Sequence, residues 1–354
     1  MNKTAHKSVE WQDHSERGVT LIEMAIATAI SMVVMGATFT LLNMTFSANN
    51  TMDEMGETQQ AVRVAINTVA RDLTMAGTGI PGAIAVPSGT GSITLFRPGI
   101  VTVLPTPADN LSIISPGEAE GPLITGQNAT ENTDVLTIAA IDQQSPIWTL
   151  TSYTDTIPGT DVSFAQEVRN GATQLFANDV LLFTNANGSV MGCVTSISTT
   201  VSLASFDGTD ACGINQPGAA AGNFTQTLLN PDTTLPPTTA MRINVITYYL
   251  VAAGSHGHPS LMRATNAQAA QELIEGVENF QVTYDLYDFA TLTSTANVVP
   301  ATGFANSNQI RSVNVTLSGR SLHRLRQTGD FYRFGLSSKV SIRNTTFRNR
   351  YSGP

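Results

Sequence analysis

Gly18 and Glu23 are the residues near the N-terminus whose types and spacing point to chemistry. Glu23 lies at the beginning of an apolar run that meets no further charge until Asp53. A carboxylate near the start of a membrane-length helix costs roughly 2.5–3.5 kcal/mol even on the lenient insertion scale, so its presence requires a function or a partner. Gly18 places a small residue just ahead of the run. The pattern indicates a membrane segment whose buried charge is neutralised by something outside the segment itself.

The segment that positions these residues is long enough to cross a bilayer. From Met24 to Met52 it would extend about 44 Å as a helix, whereas the hydrocarbon layer is about 30 Å thick, so part of it must emerge. Basic residues precede it and acidic residues follow it, namely Lys3, Lys7 and Arg17 before and Asp53, Glu54 and Glu57 after. This asymmetry predicts a cytoplasmic N-terminus and a body on the other side of the membrane.

The stretch Arg17-Gly18-Val19-Thr20-Leu21-Ile22-Glu23 resembles the class III leader of type IV prepilins. The resemblance implies that residues 1–18 are a leader, that prepilin peptidase cuts after Gly18 on the cytoplasmic side, and that the new N-terminus at Val19 is methylated. Val19 stands where the family usually has phenylalanine. The resemblance also implies that the amino group of Val19 pairs with Glu23 of a neighbouring subunit. Such a pair penalises any register that leaves either charge alone, so it would set the stagger between subunits.

A secretory signal peptide and an uncleaved signal anchor are the plainer alternatives for this segment. A secretory signal has an apolar core of about 7–15 residues and is cut after that core. Here the run from Val19 to Ala48 is about twice as long, and the small residue Gly18 precedes it. An uncleaved anchor gives no evident reason for Glu23.

Beyond Asp53 the helical pattern continues as an amphipathic segment. Apolar residues recur at helical spacing, namely Met55, Val62, Ile66, Val69 and Leu73. Gly77, Gly79 and Pro81 predict its end. We therefore expect a spine helix over 19–77, with 19–48 in the bilayer or the fibre core and the second half packed against the protein's own head.

The remainder of the chain reads as β structure. The sequence predicts a β-rich head region over 78–240 and a C-terminal antiparallel sheet region over 241–354, with the proline-rich stretch 213–237 near the boundary. The predicted strands are Val135–Ile141, Val180–Phe183, Val190–Ile197, Val201–Leu203, Met241–Val251, Leu261–Arg263, Val277–Leu286, Ile310–Leu317 and Phe331–Ile342.

Cys193 and Cys212 are the two cysteines of the chain, and both fall in the part predicted to lie outside the cytoplasm. An oxidising compartment and an even number of cysteines predict a disulfide between them. Closing a loop of about twenty residues would contribute roughly 3 kcal/mol in the chain-entropy model. Two unpaired buried thiols are the alternative.

Patches at both ends of the head resemble the PilW-type minor pilins. They are Arg71–Gly77, Tyr248–Leu250, Leu261–Arg263, Glu272–Phe280, Ile310–Val315 and Arg343–Thr346. The resemblance implies a non-enzymatic subunit that primes fibre assembly and ends at the tip. Its implied partners are other minor pilins, the major pilin, prepilin peptidase, the inner-membrane assembly platform and a tip adhesin. Before assembly it would be a single-pass inner-membrane protein, and afterwards it would reside in the pilus at the cell surface.

The C-terminal segment from Arg311 is rich in arginine, whereas the preceding head is acidic. These basic residues can pair with acids of the same fold, contact another pilin or an anionic surface polymer, or capture DNA. Because the protein is acidic overall, one basic patch is weak evidence for nucleic-acid binding.

Catalytic and metal-binding patterns are weak. His256-Gly257-His258 has no nearby third ligand, and three or four ligands are the usual requirement. Asp207-Gly208-Thr209-Asp210 lacks the ligand spacing of a calcium loop, so a plain turn is favoured. We expect no cofactor and no enzymatic activity.

The sequence thus predicts an α+β, pilin-like fold with a β-rich insertion, and a minor pilin that primes and caps a type IV pilus. A J-type pseudopilin of a type II secretion system is the nearest rival. A membrane-anchored binding or hydrolytic ectodomain that never joins a fibre is the alternative from another class.

Overall fold

The computed structural model describes residues 18–80, 84–85, 110–111, 113–124, 132–156, 159–186, 188–215, 236–288, 291–299, 309–342 and 344. The chain divides into two compact units, Met1–Asp53 and Glu54–Pro354. Helix α1 spans Leu21–Met75 and supplies residues to both units. The predicted long N-terminal helix is confirmed.

The part of α1 in the first unit has exposed apolar side chains and is long and apolar enough to span a membrane. Several threonines lie within it without breaking the helix. The hydroxyls of Thr28, Thr38, Thr40 and Thr45 each donate a hydrogen bond to the carbonyl four residues earlier. Because the helix itself satisfies these hydroxyls, they remain compatible with a bilayer that offers no water.

In the second unit α1 is amphipathic and buries one stripe. Its buried residues are Thr58, Val62, Ala65, Ile66, Val69, Asp72 and Leu73. The helix stops at Met75, and Gly77 follows with a φ of 71°. Glycine adopts this left-handed conformation without the steric cost that other residues meet, so the predicted stop is confirmed.

Seventeen strands are present in the described residues. They are β1 (Ile84–Ala85), β2 (Asn110–Leu111), β3 (Ile114–Gly117), β4 (Val135–Ile141), β5 (Trp148–Thr156), β6 (Gly159–Phe164), β7 (Val180–Asn185), β8 (Gly188–Cys193), β9 (Ser196–Ile197), β10 (Leu203–Asp207), β11 (Thr239–Val251), β12 (Ser260–Thr265), β13 (Gln271–Glu275), β14 (Val277–Asp288), β15 (Thr293–Val298), β16 (Ile310–Arg324) and β17 (Phe331–Ser341). A short 3-10 helix covers Gly171–Thr173.

The larger of the two sheets has 13 strands and is organised around β11. This strand pairs with β4, β5, β7 and β12, all antiparallel. β4, β5 and β7 come from the chain before residue 240, and β12 comes from the chain after it. The large sheet therefore draws strands from both sides of the expected boundary, because hydrogen-bond register rather than chain order selects the neighbours of a strand.

The smaller sheet has four antiparallel strands in the order β15-β14-β16-β17. Its apolar face and part of the large sheet enclose the buried stripe of α1, and the three form one core. Gly319 in β16 permits a close approach, since a Cβ there would lie 2.7 Å from Val62 Cγ2. The predicted α+β fold, with the helix packed on antiparallel sheets and a β-rich insertion, is confirmed.

Candidate processing and assembly site

The segment just before α1 is exposed and non-helical from Gly18 to Thr20. A Cβ added at Gly18 would meet no heavy atom within 4 Å, so nothing within the described part of the chain shields this peptide bond. Proteases act preferentially on exposed, non-helical backbone. The geometry at Gly18 is therefore compatible with cutting immediately ahead of the helix.

Thr20 and Glu23 form a reciprocal cap at the start of α1. The Glu23 carboxylate accepts hydrogen bonds from the Thr20 backbone N–H and hydroxyl, both at 2.9 Å. In return the Glu23 N–H donates to Thr20 Oγ1 at 3.3 Å. This is the capping-box arrangement, which satisfies N–H groups that a helix start leaves unpaired. Glu23 therefore has a local role besides its charge, and the Thr-x-x-Glu spacing of Thr20 and Glu23 is the sequence signal for it.

A second polar site lies at the opposite end of α1, where Asp72 is buried against the large sheet. Tyr248 Oη donates a hydrogen bond to Asp72 Oδ2 at 2.6 Å, and Arg263 Nε donates to the same oxygen at 2.9 Å. Burial and this bond to Asp72 raise the pKa of Tyr248 above its ordinary value. An acid in the last turn of a helix opposes the helix dipole, so a paired cation is needed to hold it there.

The Asp72–Tyr248–Arg263 network ties the helix end to β11 and β12. Asn344 reinforces this junction, because its Nδ2 donates to the Ala76 carbonyl at 2.8 Å and to Thr78 Oγ1 at 2.9 Å. Asp72, Tyr248, Arg263 and Asn344 lie in the sequence patches that resemble PilW-type minor pilins, but the sequence patterns predict no contact among them. A readable signal was Asp72 itself, which occupies a position of the apolar stripe between Val69 and Leu73.

The predicted disulfide between Cys193 and Cys212 is confirmed, with Cα atoms 6.2 Å apart. Asn215 braces the loop beyond it: its Oδ1 accepts from the Cys193 N–H at 2.9 Å, and its Nδ2 donates to the Asp207 carbonyl at 3.0 Å. Asp210 accepts backbone N–H bonds from Ile214 and Asn215. The Asp210 carboxylate therefore stabilises the turn of its own loop.

The pKa of Asp210 predicts a pH dependence for the stability of this loop. Burial raises it from 3.8 to about 6, more than the backbone hydrogen bonds from Ile214 and Asn215 lower it. The folded state therefore binds more protons than the unfolded state between about pH 4 and 6, and stability must fall as the pH rises through that window. We expect a loss on the order of 2 kcal/mol. Urea unfolding at both ends of the window measures it.

The matched control for this prediction is Asp210→Asn, which removes the titrating proton and keeps the size of the side chain. Its stability should change less than that of the wild type between about pH 4 and 6. An identical pH profile in the two proteins would assign the dependence to other groups.

Two of the candidate metal ligands within the described residues, His256 and Asp210, are engaged in other contacts. His256 pairs with Glu275, and the hydrogen bond that its ring donates to this carboxylate raises the pKa of His256. In the described part of the chain, ligand atoms of Cys193, Asp210 and Cys212 lie within 4.8 Å of one another. The two sulfurs are bonded to each other, so no thiolate is left to bind a metal.

Basic residues of the C-terminal segment pair with acids of the same fold. Glu278, which is 2% exposed at its side chain, accepts hydrogen bonds from Arg320 and Arg333 at 3.0 and 2.9 Å. Burial alone would raise the pKa of Asp285, but hydrogen bonds from Lys339 and other neighbours hold it well below its ordinary value. Arg320, Arg333 and Lys339 therefore pair with carboxylates of the same fold, which was the first of the three sequence-based alternatives.

Two family models match the chain, at opposite ends. A model described as the prokaryotic N-terminal methylation motif matches residues 13–39, which include the capped helix start. A model described as type IV pilus-assembly protein W matches residues 248–351, which begin at the tyrosine of the buried network. Comparisons with the curated proteins and with the solved structures give no match.

The methylation motif on an exposed apolar helix, continued by a β-rich head, defines a pilin-class protein. Such a protein is anchored by one pass through the inner membrane and contributes its ectodomain to a pilus. The match of residues 248–351 to type IV pilus-assembly protein W points to one group within the pilin class. Together the two matches support a PilW-type minor pilin of the type IV pilus, the family that the sequence patches resemble. These matches indicate a structural component rather than an enzyme, and partners among other pilins and the pilus machinery.

Proposed function

We propose that prepilin peptidase cuts this chain after Gly18 and methylates Val19, and that the mature subunit primes assembly of the pilus and occupies its tip. The exposed, non-helical backbone ahead of α1 supports the cleavage point. The match to the N-terminal methylation motif covers both residues. After the cut, the cationic amino group at Val19 lies four residues before the Glu23 carboxylate.

Glu23 has two separable properties in this proposal. It caps its own helix through Thr20, as the hydrogen bonds show. It also carries a negative charge at the head of an apolar span, and capping alone does not require that charge because glutamine caps at the same position. The charge is therefore assigned to pairing with the amino terminus of an adjoining subunit, which fixes the register between subunits.

The observation that carries the priming role is the exposed apolar surface from Leu21 to Met52 in a chain that also has a large head. Each subunit that joins buries such a surface against others, so the first assembly step is the hardest because few neighbours are present. A dedicated initiator lowers that barrier. A head built from two sheets would also obstruct another subunit above it, which suits a tip position.

The partners proposed for this role are the other minor pilins, the major pilin, prepilin peptidase, the assembly platform and a tip adhesin. Deleting the gene should reduce the number of surface fibres at least tenfold, because fibres then start without their initiator. Counting fibres by electron microscopy measures this, and immunogold should label fibre ends in complemented cells. Complementation with Gly18→Val, which should block cleavage, provides the control and should not restore fibres.

Normal fibre numbers in the deletion strain would contradict the priming role. Gold particles spread along the fibre would contradict the tip position. A defect confined to type II secretion would favour the pseudopilin rival.

A further inference from the structure

Strand β17 forms one edge of the small sheet and is long for an edge strand. Its 11 residues pair with β16 alone among the described strands. The other described strands with a single neighbour are β2, β3, β9, β13 and β15, and the longest of them has 6 residues. An edge strand presents a row of unpaired N–H and C=O groups, to which another chain can add a strand. In the described part of the fold, β17 is the longest template of this kind.

The hydrogen-bond register shows which backbone groups of β17 point away from β16. Ile342, the residue after β17, donates its N–H to the Arg311 carbonyl at 2.8 Å, and this bond continues the register in which Ser341 lies opposite Ser312. Backbone bonds between antiparallel strands recur at every second residue. The outward groups are therefore the N–H and C=O groups of Gly335, Ser337, Lys339 and Ser341. No residue in the described part of the chain hydrogen-bonds to these outward groups.

The edge of β17 lacks the features by which proteins usually protect an exposed strand, namely a proline, a bulge or an unpaired charge. The strand contains no proline, and its register is unbroken from Arg333 to Ser341. Its two cations are held by carboxylates of β14, two strands away: Arg333 pairs with Glu278 and Lys339 with Asp285. The pairings of β13 and β15, by contrast, each contain a register shift.

We propose that β17 is the docking edge for an extended segment of a different pilus subunit, which adds a fifth strand to the small sheet. This inference rests on the proposed function, because the two subunits meet during pilus assembly. Phe334 and Leu336 pack on the core but are only partly buried. The added segment therefore carries apolar residues at alternate positions, beside these two side chains, and polar residues between them. Its backbone bonds supply affinity, and its apolar positions supply specificity.

Cross-linking in intact cells identifies the segment that occupies the edge. A photoreactive benzoylphenylalanine in place of Ser341, an exposed residue of β17, should cross-link to an extended segment of a different pilus subunit, as mapped by peptide mass spectrometry. The same probe in place of Thr295, which is exposed on β15 at the opposite edge, should not reach that segment. Cross-links from position 341 only to lipid, to its own chain or to a second copy of this chain would overturn the proposal.

A proline at the centre of the edge tests whether the backbone forms the contact. Ser337→Pro removes one outward N–H and leaves the bonds to β16 in place, and proline is tolerated at such positions of edge strands. We expect it to lower the yield of the cross-link from position 341 about tenfold, because one backbone bond is lost and the ring obstructs the added strand. Ser337→Ala is the matched control, since it removes the hydroxyl that bonds to Thr316 but keeps the N–H.

The yield with Ser337→Ala should equal that of the wild type, and the two variants should unfold at similar temperatures in detergent. A folded Ser337→Pro protein that cross-links as well as Ser337→Ala would contradict a backbone contact.

Amide hydrogen exchange provides a second measurement that does not depend on the proline variant. A synthetic peptide of the cross-linked sequence, added to the detergent-solubilised full-length protein, should slow exchange of the four outward N–H groups about tenfold. The N–H groups between them already bond to β16 and should change little. Equal slowing of both sets, or none, would contradict strand addition.

The failure of this inference can be distinguished from the failure of the proposed function. If the wild-type protein is present in pili but position 341 yields no cross-link to a different subunit, β17 is not a docking edge. If the wild-type protein never appears in pili, the proposed function itself fails.

Discussion

The Glu23→Gln variant is expected to be cleaved and inserted in the membrane but to be reduced in pili by at least tenfold. Glutamine at this position retains a side-chain oxygen that accepts the Thr20 N–H, so the helix start is preserved. What is lost is the negative charge that, in the proposed assembly, neutralises the amino group at Val19 of a neighbour. An uncompensated charge in a low-dielectric contact costs several kcal/mol. Immunoblots of sheared pili and of membranes, with N-terminal sequencing, measure the two fractions.

Thr20→Ala is the matched control, because it removes the capping hydroxyl and leaves the charge. Loss of a cap of this kind costs about 1 kcal/mol of helix stability. The proposal therefore expects Thr20→Ala to assemble nearly as well as the wild type. If Glu23→Gln assembles normally and Thr20→Ala does not, the cap rather than the charge is what assembly requires.

The Asp72→Ala variant should destabilise the head by about 3–5 kcal/mol, because it leaves Arg263 partly buried without its carboxylate. The Arg263 side chain is 22% exposed and cannot recover full hydration at its present position. Tyr248 loses its acceptor at the same time. Urea unfolding of the detergent-solubilised chain, followed by circular dichroism, measures the change.

Two comparisons isolate the buried charge. Tyr248→Phe removes one hydrogen bond and should cost only about 1 kcal/mol. Arg71→Ala removes a side chain that is 72% exposed and 3.7 Å from Asp72, and it should change stability by less than about 1 kcal/mol. An Asp72→Ala protein as stable as Arg71→Ala would show that the network does not hold the helix on the large sheet.

Several strands were predictable because their local pattern matched their final environment. Val135–Ile141 is a continuous apolar run, and all seven residues of β4 are buried. The long strands β16 and β17 were predicted at shorter or slightly shifted bounds. In β16, buried positions alternate with less buried ones, which is the period-two signal of a sheet with one face on the core.

Other strands were missed because their stability comes from neighbours distant in sequence. β5 and β6 are rich in threonine, serine and aspartate and form a hairpin that continues into β10. β15 is exposed along most of its length and is held at the edge of the small sheet by β14. Without apolar runs, such segments resemble loops until their pairing partners are known.

The sequence by itself determined those features of the protein that depend on local physics. An apolar run of membrane length, an acid at its head, a glycine stop after Met75 and two cysteines in an oxidising compartment each have one favoured outcome, because the constraint acts within a few residues or through the solvent. The tertiary structure alone decided that β11 gathers strands from both halves and that Asp72 meets Tyr248 and Arg263. The hydrogen bonds of Asp72 join residues 176 and 191 positions apart, and no local preference encodes which of many compatible partners will be chosen.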